Sequence, residues 1–173
     1  MQETNVIERD SLNISPENNF SLKKGEKLRH RSLVEGLFKE GKTIYEFPLR
    51  LTWRVMDNST FSENFRNKPP ENIFNMQMLI TVPKKKRKRA VDRVLMRRRI
   101  REAYRLNRNG LKAEVNKNPD VRLLSMAFVY MHNENLPYVT IEKKIKILFN
   151  KLESSLSKIK GNHQISRENK HDV

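Results

Sequence analysis

The chain is 173 residues long, 36% hydrophobic, and carries 36 Lys and Arg against 20 Asp and Glu, a formal charge of +16. That is enough for one modest core in one domain with tails, and its field favours polyanions: nucleic acid, or less often an anionic membrane. The absence of cysteine excludes disulfides, thiolate metal sites and thiol nucleophiles. No apolar run approaches the roughly 18 residues of a membrane span, and residues 1–19 lack the apolar segment of a secretory signal. The expectation is a soluble, cytoplasmic protein that does not engage a membrane.

Taken in chain order, residues 1–19 are polar, lack aromatics and read as a disordered tail. A short helix is predicted over residues 32–40, with Ser32 and Glu35 as a capping box and Gly41 as its stop. Residues 47–56 alternate, Leu49, Leu51, Trp53 and Val55 against Arg50, Thr52 and Arg54, which is the pattern of a half-buried strand. Residues 57–75, with Asn, Ser and Pro69-Pro70, read as a long loop. A strand follows over residues 76–82, ended by Pro83. A long helix over residues 90–108 closes at Asn109-Gly110, a buried strand covers residues 122–131, and an amphipathic helix covers residues 140–157. Residues 158–173 read as a second disordered tail. The domain therefore spans residues 20–157. Its class is α+β, a two-layer α/β sandwich in the approximate order αβββαβα, with one sheet face covered by helices.

The stretch 84–101 holds eleven Lys and Arg and one acid, Asp92. A basic run alone reads as a solvated surface. Here it has a helical face. At about 100° per residue, Arg93, Arg97, Arg101 and Arg105 fall in one arc with Arg98 at its edge, while Leu95, Met96, Ile100, Ala103 and Leu106 fall opposite. Like charges at i, i+4 destabilise an isolated helix by about 0.2–0.5 kcal/mol per pair. Such a ladder is a poor arrangement without an anionic partner, and the guanidinium fork suits phosphate. Arg99 lies within the apolar arc and must snorkel or pair with an acid.

This helix resembles the signature helix of the bacterial ribonuclease P protein family, whose pattern runs approximately A-V-x-R-N-R-x-K-R-x-x-R-E-A-[FY]-R. The matching residues are Ala90, Val91, Arg93, Arg97, Arg98, Arg101, Glu102, Ala103, Tyr104 and Arg105. Residues 20–29 and 37–42 resemble the family's N-terminal region, and the likeness covers about residues 20–157. Val94 and Leu95 stand where the family has Asn-Arg, and the 57–75 loop is longer. The resemblance implies a left-handed βαβ crossover. It also implies a protein subunit of an endoribonuclease that removes the 5′ leader from precursor tRNA, with the chemistry carried by the catalytic RNA and by Mg2+ held mainly by that RNA. On the same basis Lys84, Lys85, Arg89, Arg93, Arg97, Arg98, Arg101 and Arg105 are expected to bind the RNA subunit. Val34, Phe38, Arg50 and Thr52, with Arg54 beside them, are expected to line a cleft for the leader. Val34 holds a place that is often aromatic in the family. Phe38 reads either as a base-stacking residue or as core.

No catalytic or metal-binding residue is expected in the protein. The acids are scattered, His30, His132, His163 and His171 are isolated and read as surface residues, and there is no Gly-rich phosphate loop. A ribosomal or RNA-chaperone-type RNA-binding protein accounts for charge and architecture, but not for the Arg-Glu-Ala-Tyr-Arg helix. A DNA-binding regulator would need a helix-turn-helix partner where Pro83 and the lysine run stand. A membrane-surface helix would need bulkier apolar residues.

Overall fold

The computed structural model describes residues 21–65, 69 and 73–168, with side chains through 158. The expected N-terminal tail, residues 1–19, and the last residues, 169–173, lie outside the described residues. Nine elements follow a 3-10 turn at Lys24–Glu26: α1 (Arg31–Glu40), β1 (Lys42–Glu46), β2 (Leu49–Met56), α2 (Asn58–Glu63), β3 (Met76–Thr81), α3 (Ala90–Asn107), α4 (Asn109–Asn116), β4 (Leu123–Tyr130) and α5 (Tyr138–Glu168). The sheet order is β1-β2-β4-β3. β1 and β2 form an antiparallel hairpin, β2 pairs antiparallel with β4, and β3 pairs parallel with β4. The β3–β4 connection runs through α3 and α4.

β4 is central and buried at every position, which is why its sequence is a nearly continuous apolar run rather than an alternation. The inner sheet face carries Leu49, Leu51, Trp53, Met78, Met126 and Phe128. It packs on Met96, Ile100 and Tyr104 of α3, Leu111 and Val115 of α4, and Ile141, Ile145, Leu148 and Leu152 of α5. The outer face is covered as well, so the expectation of one helix-covered face is too narrow. Leu33 and Leu37 of α1, Phe61 of α2 and Leu28 pack there on Met56, Leu123 and Ala127.

Four local expectations are corrected. Ser32 lies inside α1, whose N-cap is His30 without a side-chain cap; Glu35 instead pairs with Arg31 at 2.7 Å. The 57–75 segment contains α2, capped by Asp57 Oδ1, which accepts from the Thr60 amide at 2.8 Å. Asn109-Gly110 does not close the long helix but begins α4. The chain turns at Arg108 in ordinary right-handed conformation, because Arg108 is drawn inward and Leu111 and Val115 join the core. Residues 158–168, expected within a tail, belong instead to α5, which runs through Glu168. No helix among the described residues is long and apolar enough to cross a membrane.

Candidate nucleic-acid interface

α3 lies against the inner face through Met96, Ile100, Ala103 and Tyr104, all fully buried. Tyr104 stands edge-on to Phe128 (5.9 Å) and Phe149 (6.0 Å), and burial pushes its hydroxyl pKa up. The opposite side of the helix presents Val91, Val94, Arg98 and Arg101 to solvent. Arg98, read as the edge of the ladder, is therefore central to the exposed face. Leu106, expected on the packing side, is 38% exposed because it sits at the flank of the packed arc.

The ladder residues divide. The side chains of Arg97, Arg98 and Arg101 have no hydrogen bond or ion pair among the described residues, nor do those of the exposed Lys84, Lys85 and Arg89 of the preceding turn. Arg93 is half-buried and donates to the carbonyls of Arg87 (3.0 Å) and Lys88 (2.5 Å), which holds the basic turn against the helix start. Arg105 pairs with Glu102 at 2.6 Å and holds that carboxyl below its ordinary range through the hydrogen bond. Arg99 neither snorkels to water nor meets an acid; it donates to the Leu136 carbonyl. Asp92, the acid within the run, pairs with Arg87 at 2.7 Å and accepts from Asn135 Nδ2 at 2.8 Å. Arg87 also donates to the Asn133 carbonyl. The basic turn is thereby fastened to the loop after β4.

The second surface is the outer face beyond the C-terminus of α1. Directly paired residues share a face, so the register places Tyr45, Arg50, Val129 and Thr81 in one row across all four strands. The next row, Thr43, Thr52, Ala127 and Leu79, runs beneath α1. Gly41 brings helix and sheet together there, since a Cβ on it would lie 2.2 Å from the Leu37 carbonyl oxygen and 2.9 Å from the Thr52 methyl. Thr52 is only 4% exposed, so the expected contact from its side chain to a ligand is corrected: it is floor covered by the helix. Arg54 is held by Glu40 at 2.6 Å. Val34 is half-buried against the outer cluster. Phe38 is 46% exposed and is not core. Arg50 is half-buried, with its Nε lacking a hydrogen-bond partner among the described residues. Tyr45, 64% exposed, joins the floor. It escaped the sequence reading because β1 was not recognised, although Thr43 and Tyr45 alternate with Ile44.

A sequence model described as Ribonuclease P matches residues 22–153. The ribonuclease P protein components of two strains of Porphyromonas gingivalis are each 29% identical over 143 residues, covering 83% of this chain and 89% of theirs. Among solved structures, the RNase P protein of Staphylococcus aureus is similar at TM-score 0.48 and 14% identity, over 72% of this chain and 93% of that one. The RNase P protein of Thermotoga maritima is similar at TM-score 0.49 and 21% identity, over 73% and 96%.

Proposed function

Because the chain belongs to the ribonuclease P protein family, we propose that it docks on the catalytic RNA of that ribonucleoprotein through the solvent face of α3, and guides the 5′ leader of precursor tRNA along the outer sheet face. The observation that carries this reading is the set of unpaired cations, Arg97, Arg98 and Arg101 with Lys84, Lys85 and Arg89, on one rigid helix and the turn fastened to it. Preorganised guanidinium groups lose little entropy on meeting phosphate. Each phosphate neutralised releases counterions, so about six contacts give a log–log salt slope near −4 to −5. Arg93 and Arg105 contribute through the long-range field while holding the scaffold.

In the cleft, Arg50 meets leader phosphate, Phe38 and Tyr45 offer faces to unpaired bases, and Val34 forms the apolar wall. The described residues bring no three His, Asp or Glu together as a metal site. Mg2+ held by the RNA would supply the activated water and stabilise the leaving oxygen. The protein's part is to reduce phosphate repulsion there and so to raise the local occupancy of Mg2+.

The test adds the protein to bacterial ribonuclease P RNA and precursor tRNA at low Mg2+. Cleavage should be restored by the wild type. Arg98→Ala with Arg101→Ala should need more Mg2+ and more protein at an unchanged unfolding midpoint. A double variant that cleaves like wild type at low Mg2+ would remove α3 from the interface.

A further inference from the structure

We infer that Phe47 and His132 form a stacking site for one further unpaired base, at the end of the sheet where the cleft floor runs out; this rests on the reading that the floor carries the leader. Phe47 is 64% exposed, yet its ring lies 5.2 Å from that of His132 at 46°. The pair is built on fixed backbone. Pro48 is buried and its carbonyl accepts from the Met131 amide at 2.8 Å. His132 Nδ1 accepts from the Glu134 amide at 2.9 Å, and the Tyr130 hydroxyl donates to the Glu134 carbonyl at 2.5 Å. Arg87 and Arg99 grip the same loop at Asn133 and Leu136. An aromatic surface held this way loses little order on binding.

Its place in the fold says what it binds. β1 carries Thr43 and Tyr45 along the outer face, and Phe47 comes next, just past the strand. Arg87 fastens the basic turn to the residue after His132, so the exposed Lys84, Lys85 and Lys88 belong to this same end of the sheet. The acid of the hairpin, Glu46, is neutralised by Lys144 and Lys151; Glu134 stays exposed beside the pair. Two exposed aromatics, Tyr45 on β1 and Phe47 just past it, with Arg50 across from Tyr45 and the lysines of the basic turn at the hairpin end, fit a single-stranded polyanion whose bases are splayed out to stack. The centre of a protein interface would instead be depleted in lysine.

The experiment uses holoenzyme assembled with bacterial ribonuclease P RNA and a precursor tRNA series whose leader grows one nucleotide at a time, with 2-aminopurine at the last position added. For the wild type, affinity should rise as the leader fills the floor and once more as it reaches the hairpin, with quenching of the fluorescent base there. Phe47→Leu should lose that last increment, about fivefold to tenfold, as expected for one stacked base, together with the quenching. It should bind shorter leaders and mature tRNA normally, and Phe47→Tyr should recover both losses. Arg50→Ala should weaken every leader-bearing substrate. Phe47→Leu matching wild type at all lengths, or losing equally on mature tRNA, would overturn the stacking site and leave the floor standing. A wild-type enzyme indifferent to leader length would overturn both.

Discussion

Arg108 and Arg101 lie two turns apart at the same end of one basic segment, and they have opposite fates. Arg101 is exposed and unpaired among the described residues. Arg108 is 2% exposed, 3.4 Å from the equally buried Glu26, donates to the Ser21 carbonyl at 2.8 Å and sits 6.0 Å from the Tyr104 ring centre. Its Nε and Nη1 are buried with no hydrogen-bond partner among the described residues. One arginine is offered to a ligand, while the other fixes the segment before α1 against the junction of α3 and α4. The comparison teaches that charge density along a chain does not measure charge available to RNA; the packing geometry of each helix turn does.

The largest expected effect breaks the inner member of that comparison. Removing one partner of a buried pair leaves an uncompensated charge, at about 3–5 kcal/mol. Arg108→Met should lower unfolding stability by that order in denaturant titration, a large fraction of what a domain this size holds. Adding Glu26→Gln should recover much of it, because the stranded carboxylate is gone. A single variant as stable as wild type would mean that water already solvates Glu26.

A middle case sharpens the contrast within α3 itself. Arg99→Ala releases the grip on the Leu136 carbonyl, a half-buried charged hydrogen bond, and should cost about 1–2 kcal/mol with faster amide exchange over residues 131–137. Arg101→Ala should leave the unfolding midpoint in place and reduce the salt slope of RNA binding by about 0.7–0.9. Exchanged outcomes, with Arg101 stabilising the fold and Arg99 setting the slope, would invert the division between free and engaged arginines.

Much of the fold was legible because periodicity records burial. The runs that became β3, β4 and α3 read within a few residues, as did the start of α5 but not its end at Glu168, and so did the packed arc of Met96, Ile100 and Ala103. β1 was not read as a strand of its own because an edge strand whose inner-face row, Lys42, Ile44 and Glu46, holds a single apolar residue carries too little pattern, and its partner's register is needed to see it. α2 was missed although Asp57 is a good cap: six residues give less than two turns of periodicity. The candidate site was legible as a basic helix, but not as a division between free and engaged arginines. Arg87, Arg93 and Arg99 bind backbone carbonyls, and carbonyl positions are set by tertiary structure alone. Thr52 looked open from strand alternation and is closed by α1, a contact between elements that alternation cannot contain.

The smallest effect tests whether lysines can be engaged as arginines are. Lys144 and Lys151 of α5 reach Glu46 of β1 at 2.7 and 2.8 Å, and these hydrogen bonds, Lys144 first, hold the Glu46 carboxyl below its ordinary value of 4.5. A folded-state value below the unfolded one means that the pairs stabilise fully above the unfolded value and lose their effect as pH falls through the folded one. Partly exposed pairs contribute about 0.2–1 kcal/mol each. Glu46→Gln should therefore cost about 1 kcal/mol at neutral pH, and the gap from wild type should close as the solution is taken below the carboxylate range, about pH 4. A gap that persists in acid would mean that Glu46 acts through packing rather than charge. The same two lysines, being engaged, should leave the salt slope of RNA binding unchanged when replaced by glutamine, which sets them beside Arg108 and apart from Arg101.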